Sequence, residues 1–79
     1  MMDVKVRIYN ECKYTLTSKK EAEVEYKGIK GFEVKTMTDE EVCKLGFDCA
    51  DEYKEYLIIT LNDDETATFR NSHVDMFRI

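Results

Sequence analysis

His73 is the only histidine in the chain, and Cys12, Cys43 and Cys49 are its only thiols. Nucleophilic or acid–base chemistry near neutral pH would have to be assembled from these four groups and the carboxylates. A nucleophile and its base must lie within hydrogen-bond reach of each other. Ser72 precedes His73, but neighbours along an extended chain point to opposite faces, which sets the two side chains apart. The thiols lie far from His73 in sequence and reach it only through the fold. The better reading has Asn71 and His73 settling a turn between two strands, with their side chains bonded to nearby backbone. Five residues separate Cys43 from Cys49, the wrong spacing for a zinc knuckle, and no second pair follows. The cysteines read as ordinary reduced, semi-buried thiols. The expectation is a non-catalytic protein with no metal site and no cofactor.

Other short motifs dissolve on the same test. Asp63-Asp64-Glu65 lacks the alternating oxygen ligands, central glycine and final glutamate of a calcium loop, and reads as a solvated hairpin turn. Gly28-Ile29-Lys30-Gly31 has too few glycines for a phosphate cradle, and no lysine–serine step opening a helix follows it. Lys19, Lys20, Lys27, Lys30 and Lys35 suggest a basic edge, with Tyr26 and Phe32 as stacking groups for a nucleic acid. Glu21, Glu23, Glu25 and Glu33 are interleaved with them, so a mixed, solvated face is favoured. A small nucleic-acid-binding barrel using Lys27, Lys30 and Lys35 stands as the alternative reading.

Charge is the most uneven property of the sequence. The chain of 79 residues carries a net charge of −5. Through Met37 there are eight basic and six acidic side chains. From Thr38 to Glu65 ten acids face only Lys44 and Lys54. Such a segment steers basic partners and disfavours direct contact with phosphate backbones. The residues expected to meet a basic protein partner are Asp39, Glu40, Glu41, Asp48, Asp51, Glu52 and Glu55.

The elements that must position these groups can be read from periodicity. Val4, Val6 and Ile8 alternate with Lys5, Arg7 and Tyr9, which predicts a half-buried strand. Asn10-Glu11 reads as a turn, and Cys12, Tyr14 and Leu16 alternate with Lys13, Thr15 and Thr17, which predicts a second strand and an N-terminal hairpin. Residues 18–26 carry two signals. Ser18 with Glu21 fits a capping box, but Ala22, Val24 and Tyr26 alternate with glutamates, and the strand is preferred. Gly28 and Gly31 mark a turn or bulge, and Phe32, Val34 and Thr36 continue a strand to Met37. Thr38-Asp39-Glu40-Glu41 is the clearest helix start: a capping box with three acids at the positive end of the dipole. The helix is expected near Asp39–Leu45 and stops at Gly46. Asp48 is read as capping a further turn through Tyr53. Tyr56 to Leu61 is apolar on both faces, as central strands are. A polar turn, a strand over Thr66 to Arg70, a break at Asn71-Ser72-His73 and a final strand from Val74 complete the chain.

The class these elements imply is a single α+β domain over residues 1–79, with a mainly antiparallel, curled sheet or small, partly open barrel and one short helix. A strand, a tight break and a last strand are also how small SH3-like barrels end, an analogy of fold that carries no function. The expected core is Val4, Val6, Ile8, Leu16, Val34, Val42, Leu45, Leu57, Ile59, Phe69 and Phe77. The longest apolar run, Leu57-Ile58-Ile59, is far short of the ~20 residues of a membrane span. Met1-Met2-Asp3-Val4-Lys5 has no basic region followed by an apolar stretch, so a cytoplasmic location is expected. Small sheets leave edge strands open, and self-association is a further reading.

The run from Leu61 to Ile79, LNDDETATFRNSHVDMFRI, resembles the ending of small uncharacterised proteins carried by bacterial prophages and mobile elements. That resemblance implies a compact accessory protein in the host cytoplasm, of the kind that binds host machinery as an inhibitor or adaptor.

Overall fold

The computed structural model of the chain describes residues 1–46 and 55–79. Among these residues six strands and one helix run in the order β1 (Met2–Tyr9), β2 (Lys20–Ile29), β3 (Gly31–Thr36), α1 (Asp39–Lys44), β4 (Glu55–Thr60), β5 (Thr66–Arg70) and β6 (Val74–Arg78), with a 3₁₀ turn at Asn71–His73 before β6. Two three-stranded antiparallel sheets result, ordered β2-β1-β6 and β3-β4-β5. Only Lys30 separates β2 from β3, so one bent stretch of chain serves both sheets. This is the curled, mainly antiparallel α+β architecture that the periodicity predicts, and the strand–break–strand ending is present.

The bend begins at Gly28. Val24 and Tyr26 of β2 pair with Val6 and Val4 of β1, but Met2 pairs with Ile29, so the register slips by one residue. Gly28 sits at φ 63°, in the left-handed region that glycine enters without a Cβ penalty. Its amide donates to Asp3 Oδ1 at 2.9 Å. The slip turns Ile29 inward, where it is fully buried. Gly28→Ala is expected to cost about 1 kcal/mol through the strained backbone alone, read as a lower urea midpoint with an unchanged slope.

The main core lies between the two sheets. Val4, Val6, Ile29, Leu57, Ile59 and Val74 form it, with Ile8, Tyr26, Phe69 and Met76 packed around them. Tyr26 meets Phe69 edge-on at 6.4 Å between ring centres, tying one sheet to the other. The opposite face of β4 holds a second cluster, Tyr56 with Met37 and Val42. β4 is therefore central and apolar on both faces, as expected. α1 packs on that second face through buried Val42. Its capping box is formed: Thr38 Oγ1 accepts from the Glu41 amide at 3.3 Å, and Glu41 Oε1 accepts from the Thr38 amide at 3.5 Å. Leu45 is the C-cap, and Gly46 at φ 86° ends the helix.

Several expectations are corrected. Residues 12–17 are not a strand, and β1 pairs with β2 instead. The 10–19 connection folds on itself through local bonds: the Thr15 amide and hydroxyl donate to the Cys12 carbonyl, and the Ser18 hydroxyl donates to the Thr15 carbonyl. Hydroxyl side chains that satisfy nearby carbonyls compete with a strand ladder, and alternation alone does not register that competition. Leu16 is accordingly fully exposed rather than in the core. Leu45 lies past the last helical turn and is exposed. Phe77 points outward because Val74 and Met76 take the inward positions opposite Ile8 and Val6, and its ring carries the Arg7 guanidinium 4.6 Å from its centre. Val34 has the inward parity, but it lies on an edge strand and stays exposed. The proposed turn from Asp48 through Tyr53 lies outside the described residues.

Candidate functional site

α1 and the start of β4 gather the described part of the acidic segment. Asp39, Glu40 and Glu41 occupy the first turn of α1, where the helix dipole and the capping box favour carboxylates. Glu55 opens β4 opposite Thr36, two residues before the helix cap. Glu40 is bridged by Lys44 at 3.6 Å and Glu41 by Lys35 at 3.2 Å. The bond from Lys35, and then that from the Thr38 backbone, hold the Glu41 carboxyl below its ordinary range. Among the described residues, four carboxylates thus share this end with two lysines. Asp48, Asp51 and Glu52 lie outside the described residues. Asp63, Asp64 and Glu65 sit at the other end of β4, a strand length of roughly 20 Å away. The acidic segment is therefore not one continuous patch in the described structure, because β4 runs between its parts.

The lysines of the nucleic-acid reading each stand beside a carboxylate. Lys27 faces Glu25 at 3.9 Å, Lys30 bonds Asp64, and Lys35 bonds Glu41. Tyr26 packs edge-on against Phe69 instead of standing out as a stacking platform. On the outer face of the β2-β1-β6 sheet, Glu23 takes Lys5, Arg7 and Lys20, the mixed surface that the alternation predicts. Lys20 leads the interactions that lower the Glu23 carboxyl.

His73 differs from expectation in one respect. The 3₁₀ turn brings Ser72 Oγ to 3.2 Å from His73 Nδ1, because adjacent side chains in a helical turn do not alternate as they do in a strand. The pair lies near a cleft of about 310 Å³ between the end of β1 and β5, lined in part by Tyr9, Glu21, Thr68, Arg70 and His73. Cys12 is half-buried and Cys43 exposed. Among the described residues, no group of three or more His, Cys, Asp or Glu side chains is placed to hold a metal ion, and no helix is long and apolar enough to cross a membrane.

Comparison with protein-family models, curated proteins and solved structures finds no match for the chain.

The feature that sequence reasoning missed is the side of β3 away from β4. β3 pairs only with β4 among the described residues. Its Phe32 and Val34, on the core-facing side, are 42% and 54% exposed. Beside them a shallow depression of about 250 Å³ is lined by Lys30, Gly31, Phe32, Glu33 and Thr60. Alternation identified β3 as a strand but could not say that it is an edge. The charged residues on either side of Val34 were the available signal, since natural edges carry charge.

Proposed function

We propose that this chain is a small non-catalytic protein-interaction module that binds a basic protein partner through the acidic end of the β3-β4-β5 sheet. The observation that carries the reading is the gathering of Asp39, Glu40 and Glu41 in one helical turn, at the same end of the sheet where Glu55 opens β4. A short, well-capped helix over the buried Tyr56 and Val42 holds that charge on a rigid support. Each of Lys27, Lys30 and Lys35 is matched by a carboxylate, whereas among the described residues the acidic end keeps four carboxylates to two lysines, and this excess favours a basic protein partner over a nucleic acid. The prophage-like ending supports an accessory protein that acts on host machinery in the host cytoplasm, as an inhibitor or adaptor.

The test is capture of partners from a host lysate on the tagged protein, with washes at low and high salt. A basic partner that is lost at high salt is expected. The variant Glu40→Lys with Glu55→Lys leaves the Thr38–Glu41 cap in place, and should slow association and flatten its salt dependence. Association kinetics unchanged in that variant would remove the acidic end as the contact.

A further inference from the structure

We infer that the open edge of β3 pairs antiparallel with β3 of a second copy of this chain, in a register centred on Val34. The inference is independent of the basic partner proposed above.

Three observations carry it. β3 is an edge strand of six residues, and among the described residues its side away from β4 has no strand beside it. Such an edge presents a row of backbone donors and acceptors that another strand can take up. Phe32 and Val34 stand exposed on the side of β3 that faces the core, although their partners across the ladder, Ile59 and Leu57, are buried. The sequence of β3 is also complementary to itself. Twofold pairing about Val34 sets Glu33 opposite Lys35 of the second copy, Lys35 opposite its Glu33, and Phe32 opposite its Thr36. Both charged pairs are opposite in sign, and opposite charges directly across an antiparallel pair stabilise it.

The geometry of such a pairing is consistent with the layers. A twofold axis perpendicular to the sheet keeps faces together, so β3-β4-β5 of two copies would join into one six-stranded sheet. Phe32 and Val34 of both copies would then fill the trough between the two β2-β1-β6 layers. Lys35 lies on the opposite face, where it already bonds Glu41 of α1, so the second copy's Glu33 would join an existing ion pair. An interface of this kind is isologous and closes as a dimer. A contact of six residues a side is small for a stable complex, so the dimer is expected to dissociate at micromolar concentrations.

The register gives a decisive test on the purified chain alone, by sedimentation equilibrium across micromolar concentrations. The unaltered chain should show a concentration-dependent monomer–dimer equilibrium. Glu33→Lys sets like charges across both pairs, and so does Lys35→Glu. Each variant alone should dimerise roughly tenfold more weakly. An equimolar mixture of the two should recover association, because each charged pair is then again opposite in sign. Circular dichroism checks that both variants fold. Should Lys35→Glu disturb α1 through Glu41, Val34→Asp serves in its place: it puts two carboxylates face to face on the axis, and should leave only monomer. A chain that is monomeric at every concentration overturns the inference. So does a dimer that Glu33→Lys and Val34→Asp leave unaltered, or single variants that associate no better when mixed.

Discussion

Ile59→Ala is expected to destabilise the fold by about 3 kcal/mol. Ile59 is fully buried and sits in the middle strand of its sheet, with Phe32 and Ala67 as its neighbours on either side. It faces the layer made by Val4, Val6, Ile29 and Val74. Both sheets therefore border the space that truncation would open, and neither can close it without giving up its own ladder. A chain of 79 residues has a total stability on the order of 4–12 kcal/mol, so one such cavity removes a large share of it. Urea unfolding should show the midpoint falling sharply at constant slope. Ile59→Val, which removes one methylene, should cost about 1 kcal/mol. Leu16→Ala should leave the midpoint in place, since Leu16 is fully exposed. A large loss at Leu16 together with a small one at Ile59 would mean that the packing is not the one described.

The contrast between Ile59 and Leu16 also shows what the sequence could convey. Where burial and local bonding agree, alternation is a sufficient guide. Val4 and Val6, Leu57 and Ile59, and the Thr38–Glu41 cap all stand where the pattern put them. At residues 12–17 the same alternation is present, but Thr15 and Ser18 bond their own neighbourhood, and the segment closes a loop. The phase of a strand can also change within it. Gly28 slips the register, and buries Ile29 instead of the residue that a strict period of two would choose. Ile29 and Val74 belong to the main core, and Met37 and Tyr56 to the second cluster. All four were outside the expected core because their burial depends on which element packs opposite, the other sheet for Ile29 and Val74 and α1 for Met37 and Tyr56. The candidate surfaces follow the same logic. The acidic helix start was legible because it is local. Its separation from Asp63, Asp64 and Glu65 by a strand length, and the exposure of Phe32 and Val34 on an edge, arise only when the strands are ordered in space.

Asp75→Asn is expected to cost about 1–2 kcal/mol, and to remove part of the dependence of stability on acid. Asp75 lies on β6 at the point where the 10–19 loop meets the last strand. Its Oδ1 accepts from Lys13 Nζ at 2.7 Å, and its Oδ2 accepts from Tyr9 at 3.0 Å. Lys13 also donates from its side chain to the Val74 carbonyl at 2.9 Å, and from its amide to the Ser72 carbonyl at 3.0 Å. One carboxylate thus holds β1, the loop and β6 together, in a region where the loop has no ladder of its own. The bond from Lys13 is the leading cause of a lowered Asp75 carboxyl, with the Tyr9 hydroxyl adding to it against some desolvation. The same carboxylate raises the Tyr9 hydroxyl. Since the folded state binds the Asp75 proton more weakly than the unfolded chain does, the stabilisation is present above the ordinary carboxylate range of about 4. It is lost as pH falls through the lower folded value. Partial exposure of the pair, 18% for the Lys13 side chain and 34% for Asp75, screens the interaction and keeps the expected cost below that of a buried ion pair. Unfolding midpoints measured from neutral pH down through the carboxylate range should fall less steeply for Asp75→Asn than for the unaltered chain, and the two curves should converge at the acid end. Parallel curves would show that the carboxylate contributes through its shape alone, and would assign the docking of the loop to the backbone bond between Lys13 and Ser72.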